Sequence, residues 1–262
     1  MTTFAAGTIA ALRTEHDALA ALLDKLTPEQ LEGPSGASDW TVAQVFSHLG
    51  SGAEIALAGF QAHIGEGEKP GPDFNPGVWD RWNAKSPEAQ AADWRESDEA
   101  FVAALEALTP EQHETITVNP GFLPEPVPLA SFAGLRLNEV ANHTWDIRAG
   151  LDPQAGLLPG SAALLVEHLS GGLAFLIGFI GKPDLAGDAA VVEVSGTPYR
   201  IVVGDSVAFT TTADAPTATF DGPLEAALRL LVGRLGPKFT PDGLTVTGNV
   251  SLDELRAVFP GF

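Results

Sequence analysis

A chain of 262 residues suffices for two ordinary domains, and its 45% apolar against 18% charged residues, spread along the whole length, exclude a largely disordered protein. Fourteen Lys and Arg stand against 34 Asp and Glu, and the resulting net charge of −20 argues against nucleic acid and anionic lipid surfaces as partners. With no cysteine there can be no disulfide, no thiolate-ligated zinc and no protein thiol nucleophile, so any sulfur chemistry must come from a bound thiol.

The N-terminus lacks a basic stretch ahead of its apolar residues and turns charged within two helical turns, which is not a secretory signal and points to a cytoplasmic protein. From Phe4 to Leu26, Ile9, Leu12, Leu19, Leu22, Leu23 and Leu26 recur at three- and four-residue steps and predict a first amphipathic helix. A Gly- and Ser-rich loop then leads to Ser38-Asp39-Trp40-Thr41, where Asp39 or Thr41 can cap a second helix that carries Val42, Val45, Phe46 and Leu49 toward Ile64. Residues 65–79, rich in Gly and Pro, read as a long loop of the kind that borders a site.

Ser86-Pro87-Glu88 opens a third helix running to about Leu108. The string Leu-Thr-Pro-Glu-Gln occurs at 26–30 and again at 108–112, each time at a helix exit, which indicates shared turn chemistry. After a Pro-rich segment at 119–128, a fourth helix spans Leu129 to Ala149, with Gly150 as its C-cap. Four such helices predict a bundle.

An apolar helix at 159–180 follows; Glu167, His168, Gly171 and Gly172 make it a buried helix rather than a membrane span. Short β-branched runs at 191–195, 199–203, 207–212 and 217–220 then predict a meander of strands. A helix at 223–235, a strand at 244–247 and a last helix from Ser251 complete the pattern. The chain is therefore expected to be α+β, with a helical bundle at 1–152 and a smaller α+β domain at 153–262 built on a mostly antiparallel sheet.

Glu139 and His143 stand four residues apart, so both project from one helix face and could grip a single ion; the same spacing also arises in exposed helix pairs. His48, one position before Leu49, lies near the core-facing edge of the second helix, where a histidine can be a satisfied core residue or a ligand. Two bundle helices that both offer ligands inward favour a shared site. His, Glu and His supply three N and O donors and leave a fourth position open, the arrangement of a catalytic zinc. His16, His63, His113 and His168 lack any partner spacing and read as structural or surface residues, and Trp40, Trp79, Trp82 and Trp145 as core or loop anchors, with a pocket-lining place for Trp79 or Trp82 as the alternative.

The segments SDWTVAQVFSHLG at 38–50 and LNEVANHTWDIR at 137–148 resemble the mycothiol-dependent maleylpyruvate isomerase group within the DinB-like bundles. That group joins such a bundle to a smaller domain related to sterol-carrier proteins, and Gly233-Arg234 is similar to a Gly-Arg pair in its C-terminal region. The resemblance places the family's metal residues on His48, Glu139 and His143, and implies zinc, mycothiol as thiol cosubstrate, and a small electrophile that is isomerised or captured by the thiol. It also suggests roles for Asp146, which could orient a ligand imidazole or be a solvated helix charge, and for Arg234, which could clamp a substrate carboxylate or make a surface salt bridge. Arg148, near the end of the fourth helix, has a similar ambiguity. A metal-dependent hydrolase and a non-catalytic binder of small ligands are the competing readings, and the protein could be a monomer or a homodimer.

Overall fold

The computed structural model describes residues 3–261 and divides into two compact units, Met1–Asp152 and Pro153–Phe262. In the first unit the helices are α1 (Phe4–Leu23), α2 (Pro28–Glu32), α3 (Val42–Ile64), α4 (Phe74–Asn83), α5 (Pro87–Glu106), α6 (Pro110–Thr115) and α7 (Leu129–Leu151). A two-stranded ribbon, β1 (Thr117–Val118) and β2 (Val127–Pro128), precedes α7. The four long helices pack as a bundle, α1 against α5 and α7, and α3 against α5 and α7. Leu12, Leu19, Phe46, Leu49, Trp94, Phe101, Leu137 and Trp145 fill its core.

Local chemistry sets the helix starts. Thr41 caps α3, with its hydroxyl accepting from the Gln44 amide while the Gln44 side chain accepts from the Thr41 backbone N–H. The repeated Thr-Pro-Glu-Gln strings form the same reciprocal box at Thr27 and at Thr109, so each initiates a short new helix, α2 or α6, rather than only closing the preceding one. Helix α3 stops at Gly65, whose φ of 82° is the left-handed conformation glycine adopts without strain.

Three local expectations are corrected. The segment read as a loop at 65–79 contains the start of α4: Pro76 falls in the first turn, where its missing N–H costs nothing, and Val78 and Trp82, one turn apart, bury against the bundle. Gly150 is not a cap, since α7 continues to Leu151; its role is close approach, because a Cβ there would overlap the Pro34 carbonyl oxygen. The apolar stretch at 159–180 is two helices, broken at Ser170-Gly171-Gly172.

In the second unit, α8 (Pro159–Leu169) and α9 (Phe175–Ile180) precede β3 (Ala190–Val194), β4 (Arg200–Val203), β5 (Val207–Thr210) and β6 (Ala218–Asp221); α10 (Leu224–Leu231), β7 (Thr245–Gly248) and α11 (Leu252–Val258) follow. The sheet order is β5-β4-β3-β6-β7. Strands β3, β4 and β5 form the expected meander, but β6 returns beside β3 in parallel, with Val192 opposite Ala218, and the other pairings are antiparallel. Ala190, Val192 and Val194 alternate inward, as one buried sheet face requires. The chain is α+β as read from its sequence. Among the described residues no helix is long and apolar enough to cross a membrane.

Candidate metal centre

Helix α3 buries Val45, Phe46 and Leu49, which leaves His48 at the edge of that stripe, facing α7. Glu139 and His143 rise from α7 one turn apart to meet it. His48 Nε2 lies 3.2 Å and His143 Nε2 3.6 Å from Glu139 Oε2, and one donor atom from each of the three residues falls within 4.8 Å of the others. Zinc bonds of about 2.0–2.2 Å at tetrahedral angles separate neighbouring donors by about 3.3–3.6 Å, a range that the 3.6 Å separation meets and the 3.2 Å hydrogen-bonded one approaches, so the three residues could hold one ion. The donor chemistry, two imidazole nitrogens and a carboxylate oxygen, fits the same ion.

His143 is oriented from behind. Its Nδ1 lies 2.8 Å from Oδ2 of Asp146, a fully buried carboxylate one turn further along α7. An Nδ1–H donated to that carboxylate leaves the Nε2 lone pair directed at the Glu139 side.

The charge state of the cluster follows from its own contacts. Desolvation is the largest single influence on the Glu139 carboxyl and pushes it up; hydrogen bonding with His143 and His48 outweighs it and holds the group well below the usual carboxylate range. Since 49% of the Glu139 side chain is exposed, solvent weakens the desolvation side of that balance, and the imidazoles decide the charge. Burial pushes His48 below its ordinary value, opposed by the hydrogen bond with Glu139 and reinforced by His143. A His48 pushed toward its neutral form and an ionised Glu139 are the forms in which these two groups bind a metal.

Trp40 packs against both imidazoles of the cluster. Its ring lies 5.0 Å from that of His48 and stacks on His143 at 5.8 Å. The loop before α3 fixes it there: Ser35 Oγ donates to the Trp40 carbonyl at 2.8 Å, and Gly36 N–H donates to the Asp146 carbonyl at 2.7 Å, strapping the loop to α7. A cavity of about 370 Å³ opens beside His48, lined by Trp40, Gln44 and Ser51, by Trp79 and Asn83 of α4, and by Gln90 of α5. Gln44, His48 and Ser51 follow one another at steps of four and three, a single helical face that the sequence offered as a signal. Asn83 and Gln90 carry no such signal, because their place depends on how α4 and α5 pack.

Beneath the cluster, Asp98 of α5 lies buried between His16 of α1, at 2.9 Å, and Arg136 of α7, also at 2.9 Å. Arg136 donates in addition to the carbonyl of Leu49 at 2.8 Å, immediately after His48. The network ties α3 at the site to the other three long helices. His16, unremarkable in sequence, is one of its buried members.

Arg234 belongs to the second unit, after α10, and its Nη1 donates to the Val232 carbonyl at 3.4 Å. Gly233, its neighbour, has a φ of 74° and no room for a Cβ against the backbone at Gly261. Arg148 lies half-buried in the last turn of α7.

Comparison with known proteins adds three findings. The family model described as the mycothiol maleylpyruvate isomerase N-terminal domain matches residues 12–148. Two uncharacterized proteins of Mycobacterium tuberculosis, from strains CDC 1551 / Oshkosh and ATCC 25618 / H37Rv, are each 30% identical over 161 residues, covering 59% of this chain and 71% of theirs. Two crystal structures of the mycothiol-dependent maleylpyruvate isomerase, one of them a histidine-to-alanine mutant, share the fold across 95% of this chain and 98% of theirs, with TM-scores of 0.64 and 0.63 at 16% and 18% identity.

Proposed function

The chain belongs to the mycothiol maleylpyruvate isomerase N-terminal domain family, and from that premise we propose that it is a metal-dependent enzyme that adds a low-molecular-weight thiol, mycothiol, to a small conjugated electrophile. In this reading His48, Glu139 and His143 hold one zinc ion and leave a coordination position open. A zinc ion so held would lower the pKa of a thiol brought to that position, supplying at neutral pH the thiolate that a chain without cysteine cannot.

The chain's own residues do the rest. Asp146 holds the His143 ring in one tautomer, Trp40 packs against the two imidazoles, and the cavity beside His48 receives the electrophile. Isomerisation and thiol transfer share the addition step and differ only in whether the thiol is expelled again. The observation that carries the reading is the pair of 3.2 and 3.6 Å separations about Glu139 Oε2, with Asp146 behind His143.

Zinc titration by calorimetry tests it. The wild-type chain is expected to bind one ion, and Asp146→Asn to weaken binding about 10- to 100-fold, the usual cost of losing a ligand's hydrogen-bond partner. His48→Ala, which removes a ligand outright, should cost more than about 100-fold on the same scale while the circular dichroism spectrum stays unchanged. Wild-type zinc affinity in His48→Ala would refute the metal site, and turnover of a conjugated cis-alkene without any thiol would refute the thiol chemistry.

A further inference from the structure

The cavity is lined by the His48 imidazole, two indoles, three amides and a hydroxyl, with no lysine or arginine among its walls. The basic residues closest in sequence are already engaged: Arg81 pairs with Glu54, and Lys85 pairs with Asp93 at 2.9 Å while lying over the Trp82 ring at 3.6 Å. A carboxylate entering this space would shed water without gaining a lysine or arginine partner, and a net charge of −20 opposes its approach.

The amides are also half-committed in ways that fix what remains. Gln44 spends its carbonyl oxygen on the Thr41 N–H, which leaves its NH₂ to donate. Asn83 Oδ1 accepts from the Ser47 hydroxyl at 3.3 Å, which leaves its NH₂ as well. Gln90 gives its NH₂ to the Trp82 carbonyl at 3.3 Å, and its carbonyl oxygen is left to accept. Two donors and one acceptor, in a cavity that the indoles of Trp40 and Trp79 also line, complement a flat group that both accepts and donates.

We infer that this cavity selects an uncharged, amide-bearing conjugated electrophile and discriminates against a dicarboxylate, with Gln44, Asn83 and Gln90 as the residues that set the preference. The inference rests on the thiol-addition reading and names its substrate class. The chemistry balances with an unsaturated amide: the thiolate forms an S–C bond at one alkene carbon as the π pair moves onto the amide carbonyl. Rotation about the former alkene bond, now single, is followed by return of that pair, which re-forms the C=C, breaks the S–C bond and releases the same thiolate.

The test compares maleamide with maleate on the full-length chain, metal-loaded and metal-free, by quenching of the indole fluorescence to which Trp40 and Trp79 contribute. Maleamide should bind about tenfold or more tighter in both forms, the scale of one or two good hydrogen bonds. Gln44→Lys, which places a cation in the wall, should narrow or reverse the ratio, and Asn83→Leu should weaken maleamide about tenfold on the same scale with little effect on maleate. Equal or tighter binding of maleate to the wild-type chain overturns the proposal. So does failure of both ligands to bind, or a preference that neither variant changes. Zinc affinity measured on the same samples reports separately on the thiol reading: its loss with maleamide preference intact removes the metal, and its presence with no preference removes only the proposal made here.

Discussion

His168, on α8, is 1% exposed, and desolvation pushes its pKa down to about 4 from an ordinary value near 6.5. The sign of its contribution follows directly. Above pH 6.5 the ring is neutral in both folded and unfolded chains; between pH 6.5 and about 4 the unfolded chain takes up a proton that the folded chain refuses, so stability falls as pH falls. At 1.36 kcal/mol per pH unit, acidification from pH 7.5 to 4.5 should cost roughly 2 to 3 kcal/mol through this residue alone. Asp98, whose carboxyl burial pushes up as the largest single influence but His16 and Arg136 together hold low, adds acid sensitivity of the same sign but at lower pH, below the ordinary carboxylate range. Urea denaturation of His168→Leu at the two pH values separates them. The variant should retain its stability at pH 4.5 better than the wild type by about that amount, and an unchanged pH dependence would show that His168 is not the group responsible. The same scale shows what the sequence disclosed of the site. A carboxylate and an imidazole at i and i+4 announce themselves by spacing, and so, less loudly, does the Gln44, His48, Ser51 face. Trp40 read as an anchor, because its position over two histidine rings depends on a loop tied by Ser35 and Gly36, contacts that no periodicity encodes.

Helix α4 illustrates what decides an element. Its Gly- and Pro-rich approach reads as loop, yet the helix forms because Trp82 has a place to go: Gly50 of α3 presents bare backbone where any Cβ would overlap the indole. Trp82 Nε1 also donates to Glu54 Oε2 at 2.8 Å, pinning α4 to α3, and α4 brings Trp79 and Asn83 to the cavity. Gly50→Ala should therefore destabilise by about 1–3 kcal/mol, the usual cost of overpacking. Gly59→Ala, in the same helix with nothing near the added methyl, should stabilise by up to about 1 kcal/mol from helix propensity. Thermal melts of the two variants would show opposite shifts, and a matching shift in both would mean that the contact with Trp82 carries no weight. The long helices and the strands were legible in the chain because each satisfies one simple period. What escaped was tertiary in origin: the packing of Trp82 on a glycine, the break at Ser170-Gly171-Gly172, and the return of β6 beside β3 instead of β5.

At the scale of the whole molecule, the candidate site is contained in one unit. His48, Glu139, His143 and Asp146, Trp40, the cavity walls on α3, α4 and α5, and the Asp98 network beneath them all fall within Met1–Asp152. That unit has its own core, from Leu12 on α1 to Trp145 on α7, and a chain of its size buries about two thirds of the surface it would expose unfolded. Residues 1–152 expressed alone are accordingly expected to unfold cooperatively and to bind one zinc ion within about tenfold of the full-length affinity, a free-energy difference of about 1.4 kcal/mol or less. Calorimetry on the fragment and on the intact chain measures this directly. If the fragment folds but binds zinc far more weakly, residues 153–262 contribute to the metal centre and the ligand set of His48, Glu139 and His143 is incomplete. Retained zinc affinity with lost turnover would instead show that residues 153–262 serve the reaction without contributing to the metal centre.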